Sequence, residues 1–404
     1  MNWRTRFLAL AGLLGLWVMS MGAFAQTPPL AAMLNEQIIM LPVGGGFGAT
    51  QLETTIFKPN GDGPFPLALI NHGKSPGNPL FQERARFLMA ANALVARGYL
   101  VAIPMRRGFS KSGGAYINPG CNITSNGLVQ AEGIREALVS LVKRPDVDAQ
   151  RIVVIGQSHG GLTTMALGAT PFPGVRGLIN FAGGLRIEDR NTHCNWERSL
   201  VDAFEAYGRQ TALPSLWFYG DNDSFWGPDL PKEMFARYNA GGGKARLISY
   251  GKFEEGDAHG MFAHRAGLVI WLKPVEEFLR GIGLPAAVVP RTMSPAQKAV
   301  LGPQLNAALR EAHPPSGFAA LTDVDAVPLL SSNCREIYRR WATYELPRGF
   351  AIGPAGQCGS ATSVMPPKPD MPSDPVQRAL ATCEQIAKSA CKLYAIDDDV
   401  VWKP

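Results

Sequence analysis

Two hydrophobic patterns alternate along this chain. Short runs such as Tyr99–Ile103, Ile152–Ile155, Leu178–Phe181 and Leu216–Phe218 are largely apolar on both sides, as buried parallel strands should be. Between them lie longer stretches with apolar residues three and four apart. Phe87, Leu88, Ala91, Leu94 and Val95 predict a helix over Phe81–Arg97, and a second runs from Leu128 to Val142, closed by Lys143-Arg144-Pro145. Gly161–Leu167 reads as the start of another helix, and Leu268–Arg280 as one more. Further strands are expected at Phe65–Asn71 and Ala245–Tyr250, with an edge hairpin running from Gln51–Phe57 through the Asn60-Gly61 turn to Leu67. Strands alternating with helices predict an α/β fold, a doubly wound and mostly parallel sheet.

Both ends of the chain depart from this pattern. Met1–Arg6 carries two arginines and no acid, Phe7–Met19 is almost wholly apolar, and Ala23-Phe24-Ala25 forms a small-x-small site before Gln26. Residues 1–25 read as a cleaved signal peptide, which makes the mature chain periplasmic or secreted and bacterial in character. No other stretch is apolar for long enough to span a bilayer, so no stable membrane insertion is expected after cleavage. Near Ile282-Gly283-Leu284-Pro285 the composition changes. We therefore expect a catalytic domain over 26–285 and a small appended module over 286–404, which holds four of the six cysteines. In an exported chain six cysteines imply disulfides. Six cysteines permit fifteen pairings; of these we expect Cys121 with Cys194, the only two in the catalytic region, and, by nearness along the chain, Cys334 with Cys358 and Cys383 with Cys391. No CxxC or CxxH spacing suggests a metal, and no cofactor is expected. Gly349–Ile352 is expected to pair with Cys391–Ala395, and Pro303–Ala312 to form a linking helix. The net charge of +6, about +4 once Arg4 and Arg6 are removed, gives no reason to expect a nucleic-acid partner.

Candidate chemistry gathers where strand gives way to helix. Gly156-Gln157-Ser158-His159-Gly160 follows the apolar run Arg151–Ile155 directly and precedes a helix directly. That context forces the serine into a sharp turn with its hydroxyl exposed above the sheet. A serine hydroxyl needs a base and an acid that orients the base. Asp221 and Asp223 both follow the strand that ends at Gly220. His259, in Gly256-Asp257-Ala258-His259-Gly260, follows the last strand, and it is one of only six histidines. His264 lacks the flanking glycine and reads as part of the next helix. Gly73-Lys74-Ser75 is not a phosphate loop, because Ala68 stands where its first glycine would have to be.

With these elements in this order, the chain resembles the dienelactone-hydrolase-like branch of the α/β hydrolases over about residues 35–285. Arg107-Gly108-Phe109-Ser110-Lys111-Ser112-Gly113-Gly114 is similar to the Arg-Gly-x-Gly-x-Ser-x-Gly loop of secreted esterases and prolyl-oligopeptidase-like enzymes, with Ser110 in place of the middle glycine. The resemblance implies an acyl-enzyme mechanism on a small-molecule ester. It assigns Ser158 as nucleophile, His259 as base and Asp223, ahead of Asp221, as acid. It also implies an oxyanion hole built from the backbone N–H groups of Lys74 and His159, with the His72 ring bracing the loop. Specificity is expected from the insertion Gly183–Pro214, with Trp196 and Phe204, and from the loops carrying Tyr116, Phe225 and Trp226. A prolyl-oligopeptidase-like peptidase and a non-catalytic binding protein on the same fold are the alternatives.

Overall fold

Strands that are apolar on both faces can be buried only if helices cover both sides of the sheet, and that requirement organises the molecule. The computed structural model describes residues 30–187, 194–291, 293–301, 306–363 and 370–404. The expected signal peptide and Pro303 of the expected linking helix lie outside the described residues. The first sheet contains β1 (Gln37–Val43), β2 (Thr50–Phe57), β3 (Phe65–Asn71), β4 (Leu100–Pro104), β5 (Val147–Gln157), β6 (Val175–Phe181), β7 (Pro214–Tyr219) and β8 (Lys244–Ser249). Their spatial order is β1-β2-β4-β3-β5-β6-β7-β8. β1–β2 and β2–β4 are antiparallel, and every later neighbour is parallel.

Helices α1 (Leu88–Val95) and α6 (Leu268–Gly281) cover one face, where Leu94, Val101, Val153 and Trp271 are buried together. On the other face α2 (Ile123–Leu141), α3 (His159–Ala169), α4 (Trp196–Gln210) and α5 (Leu230–Ala240) enclose Leu69, Leu138, Leu162, Phe204 and Trp217. Phe204 is fully buried against Trp217, ring centroids 5.1 Å apart, so it belongs to this core and not to a specificity surface.

Two expectations about strands and helices also fail. No β2–β3 hairpin forms: β2 pairs with β1 and β4, while β3 lies inside the parallel sheet between β4 and β5. The Asn60-Gly61 turn carries the chain past β4 instead, because β3 is apolar enough to need neighbours on both sides. The first helix is also much shorter than Phe81–Arg97. It starts at Leu88, after Phe87 adopts a left-handed φ of 43°. The preceding residues are drawn out by side-chain bonds: Arg84 and Arg86 pair with Glu36, and the Gln82 carboxamide bonds Ser75 N–H (2.8 Å) and Gly73 O (3.1 Å).

A second, antiparallel sheet follows, with order β10-β9-β11-β12 from β9 (Arg348–Ile352), β10 (Cys358–Thr362), β11 (Lys392–Ile396) and β12 (Asp399–Val400). β9 pairs with β11, as read from the sequence. Around it lie α7 (Pro295–Leu301), α8 (Ala307–Ala312, capped by Asn306), α9 (Ser332–Trp341) and α10 (Pro375–Ala387). Disulfides join Cys121 to Cys194, Cys334 to Cys358 and Cys383 to Cys391. Residues 31–404 form one compact unit. The segment at the composition break is bonded down on both sides, since Tyr99 Oη donates to Pro285 O (2.7 Å) and Arg97 Nε to Ala286 O (3.0 Å). Among the described residues no helix is long and apolar enough to cross a membrane.

Candidate active site

The C-terminal ends of β3, β5, β7 and β8 converge on one side of the sheet, and each delivers part of the site. β5 ends at Gln157, and Ser158 turns the chain into α3 with φ 57° and ψ −127°. A residue with a side chain holds such a conformation only where its surroundings fix it. Here Ser158 N–H donates to Phe181 O (3.0 Å), while its carbonyl accepts from Gly161 N–H (2.8 Å) and Gly184 N–H (3.1 Å). The turn fits only with glycines beside it. A Cβ at Gly160 would lie 2.1 Å from Asn71 O, and one at Gly156 would lie 2.1 Å from Gly160 O. Gly160→Ala should therefore destabilise the protein by about 3 kcal/mol or more. Gly133→Ala, in α2 with open space around it, should stabilise by roughly 0.5–1 kcal/mol. Urea unfolding of the two variants checks both signs.

β7 leads to Asp223, which is buried, and β8 leads to a 3₁₀ turn, Ala258–Ala263, that carries His259. His259 Nδ1 lies 3.1 Å from both Asp223 carboxylate oxygens. Asp223 Oδ1 also accepts the N–H of Phe225 (2.9 Å) and Trp226 (3.3 Å), which fixes its orientation. Asp221 is exposed, and its N–H is taken by Gly251 O (2.8 Å). His264 lies outside α6 and caps the short turn before it. Two features that sequence reasoning did not single out hold the histidine turn. Gln157 Nε2, beside Ser158, donates to His259 O (2.9 Å), and Asp257 Oδ1 accepts His259 N–H (2.9 Å). An acidic residue two before the histidine is the only trace of this in the sequence.

β3 ends at Asn71 and leads into His72-Gly73-Lys74. Gly73 passes so close to the elbow that an added Cβ would lie 3.2 Å from Ser158 Cβ. The His159 N–H opens α3, where a backbone N–H has no intrahelical acceptor and the helix dipole favours negative charge. His72 and His159 are both buried, and Arg106 lies between them. Burial first, and then the Arg106 charge, push both imidazoles well below the ordinary histidine range, so they are neutral. His72 therefore braces its loop: Nδ1 donates to Gly73 O (2.6 Å), and Nε2 accepts from Arg106 N–H (3.0 Å).

A cavity of about 380 Å³ opens over Ser158, walled by Lys74, Tyr116, Arg186, Phe225 and Trp226. Tyr116, Phe225 and Trp226, on the loops from which specificity is expected, thus line it. Trp196 lies in an adjoining depression and packs 6.1 Å from Trp226. Phe225 also packs against the His259 ring, centroids 4.2 Å apart and tilted by 32°. Ser110, which replaces a glycine in the resembled loop, adopts φ 50°, in the left-handed region that favours glycine. Among the described residues no group of three or more His, Cys, Asp or Glu could hold a metal ion.

The strand order, the turn at Ser158 and the positions of Asp223 and His259 after β7 and β8 define an α/β hydrolase fold. Residues 85–172, which include the Ser158 turn, match the model of the prolyl oligopeptidase family. No curated protein sequence matches the chain. Similar solved structures include a protein of Klebsiella pneumoniae assigned as a dienelactone hydrolase, with 17% identity and a TM-score of 0.44 over 61% of this chain and 98% of that one. A thermophilic esterase of Thermogutta terrifontis is 18% identical, with a TM-score of 0.44 over 63% of this chain and 96% of that one. Dipeptidyl peptidase 4 of Porphyromonas gingivalis is 16% identical, with a TM-score of 0.46 over 61% of this chain and 35% of that one. The fold assignment rests on the strand order and the turn, not on these likenesses.

Proposed function

We propose that the protein is an exported serine hydrolase that cleaves carboxylic esters through an acyl-enzyme. The observation that carries this reading is the His259–Asp223 pair, 3.1 Å apart, on a turn bonded directly to the residue beside Ser158. Ser158 Oγ attacks the acyl carbon while His259 Nε2 takes its proton, and Asp223 holds the imidazole with Nδ1 protonated. The carbonyl oxygen becomes an oxyanion facing the N–H groups of Lys74 and His159 at the start of α3. Collapse expels the alcohol, which leaves with the proton from His259. Water, deprotonated by the same histidine, then releases the acid and restores Ser158.

The cavity volume and its aromatic wall suit a small apolar or aromatic ester. Three disulfides fit a periplasmic or secreted location. We assign the hydrolase to residues 26–285 and an appended module to 286–404. A peptidase of the prolyl-oligopeptidase kind is the second reading, favoured by the family match over residues 85–172. Recognition of a peptide amine calls for acidic side chains, however; among the described residues the lining over Ser158 contains Lys74 and Arg186 and no acid, and Glu197, Asp229 and Glu233 lie in the adjoining depression. A panel of p-nitrophenyl esters of increasing acyl length and Pro-p-nitroanilides separates the two. Turnover of the esters with a maximum at short or aromatic acyl groups is expected, and preference for the anilides would promote the peptidase.

A further inference from the structure

Arg106 lies two residues past the end of β4, and it is 2% exposed. Its guanidinium donates to His72 O through Nη1 and to His159 Nδ1 through Nη2 (3.1 Å). Because arginine is only a donor, His159 Nδ1 must accept, which leaves its proton on Nε2 for Asn126 Oδ1 at 2.8 Å. One side chain thus grips both halves of the expected oxyanion hole. It holds the main chain two residues before Lys74 and the ring of the residue that supplies the other N–H. Phe109 closes the cluster, its ring 5.0 Å from the guanidinium carbon and edge-on to His72 at 4.8 Å.

This buried cation differs from its counterparts. Arg97 pairs with Glu276 and Arg348 with Asp398, whereas among the described residues no carboxylate bonds Arg106. Burial draws its pKa down to about 9, with only the Tyr116 hydroxyl acting against the shift. An unpaired buried charge is costly, and here the cost falls directly behind the turn that carries Ser158.

We propose that Arg106 is the positioning residue of the oxyanion hole: it sets the separation of the Lys74 and His159 N–H groups and places an uncompensated positive charge behind the developing oxyanion. The proposal rests on the serine-hydrolase reading above. Its effect should appear only where negative charge develops on the substrate oxygen. A trifluoromethyl ketone carrying the preferred acyl group captures that state, because Ser158 Oγ adds to its carbonyl and leaves an oxyanion. The corresponding methyl amide, which does not react, reports ground-state binding.

The experiment compares wild type, Arg106→Met and Arg106→Lys for kcat, KM and inhibition by the two compounds. In Arg106→Met, kcat/KM and affinity for the ketone should fall together by about 10²-fold, with KM and amide affinity within about threefold of wild type. Arg106→Lys keeps the charge but cannot reach both His72 O and His159 Nδ1. It should recover roughly tenfold of that loss and remain about tenfold below wild type. If Arg106→Met does not fold, Arg106→Lys decides alone, and wild-type kcat and ketone affinity in that variant overturn the proposal. Equal losses for ketone and amide would also overturn it, since they would mark a structural role. Failure of the underlying reading is visible earlier, as wild-type protein that turns over no ester and takes no label at Ser158, and both readings then fall.

Discussion

Ser158→Ala loses ester turnover by about 10⁴–10⁶-fold while the protein stays folded. The main-chain bonds of residue 158 to Phe181, Gly161 and Gly184 do not involve its hydroxyl, so alanine keeps every one of them. Alanine also keeps the Cβ, and with it the same backbone strain at φ 57°. The change therefore removes the nucleophile and little else. Circular dichroism and the thermal midpoint should match wild type, and the stability change should stay within about 0.5 kcal/mol. Substantial turnover in this variant would assign the chemistry to another group.

Asp223→Asn is expected to lower kcat by about 10⁴-fold, close to 5.5 kcal/mol of transition-state stabilisation, with KM little changed. The carboxylate accepts from His259 Nδ1 and from the N–H groups of Phe225 and Trp226. An asparagine retains one acceptor for the backbone and turns an NH₂ toward the ring. The ring is then driven to the tautomer with Nε2 protonated, which cannot take the serine proton. Asp221→Asn is the matched control and should leave kcat within about twofold, because Asp221 is exposed and its backbone N–H, which the change leaves in place, is bonded to Gly251 O. Steady-state kinetics on one p-nitrophenyl ester decides between the two aspartates.

The elbow was legible because the hydrophobic period changes abruptly at Gly156–Gly160, and only a strand feeding a helix makes that change. The order serine, aspartate, histidine was legible because each follows an apolar run, and the structure brings Asp223 and His259 within bonding distance. Arg106 was not legible. Nothing local to Arg106-Arg107-Gly108 signals burial, which depends on His72 and His159, 34 and 53 residues away. The β2–β3 hairpin was misread for a related reason. Asn60-Gly61 is a strong local turn signal, but the insertion of β4 between β2 and β3 is a long-range event that no local signal encodes. The overlong first helix had its true start masked by apolar periodicity from Phe81 onward. The competing bonds from Arg84 and Arg86 reach Glu36, about fifty residues earlier in the chain.

The central claim is that Ser158 is an activated nucleophile, and covalent labelling tests it most directly. Purified protein is treated with a fluorophosphonate probe, digested, and mapped by mass spectrometry. The account predicts one phosphonyl group, on the peptide carrying Ser158, with labelling lost in Ser158→Ala and strongly slowed in Asp223→Asn. Folded protein that takes no label, or takes it on another residue, would contradict the account.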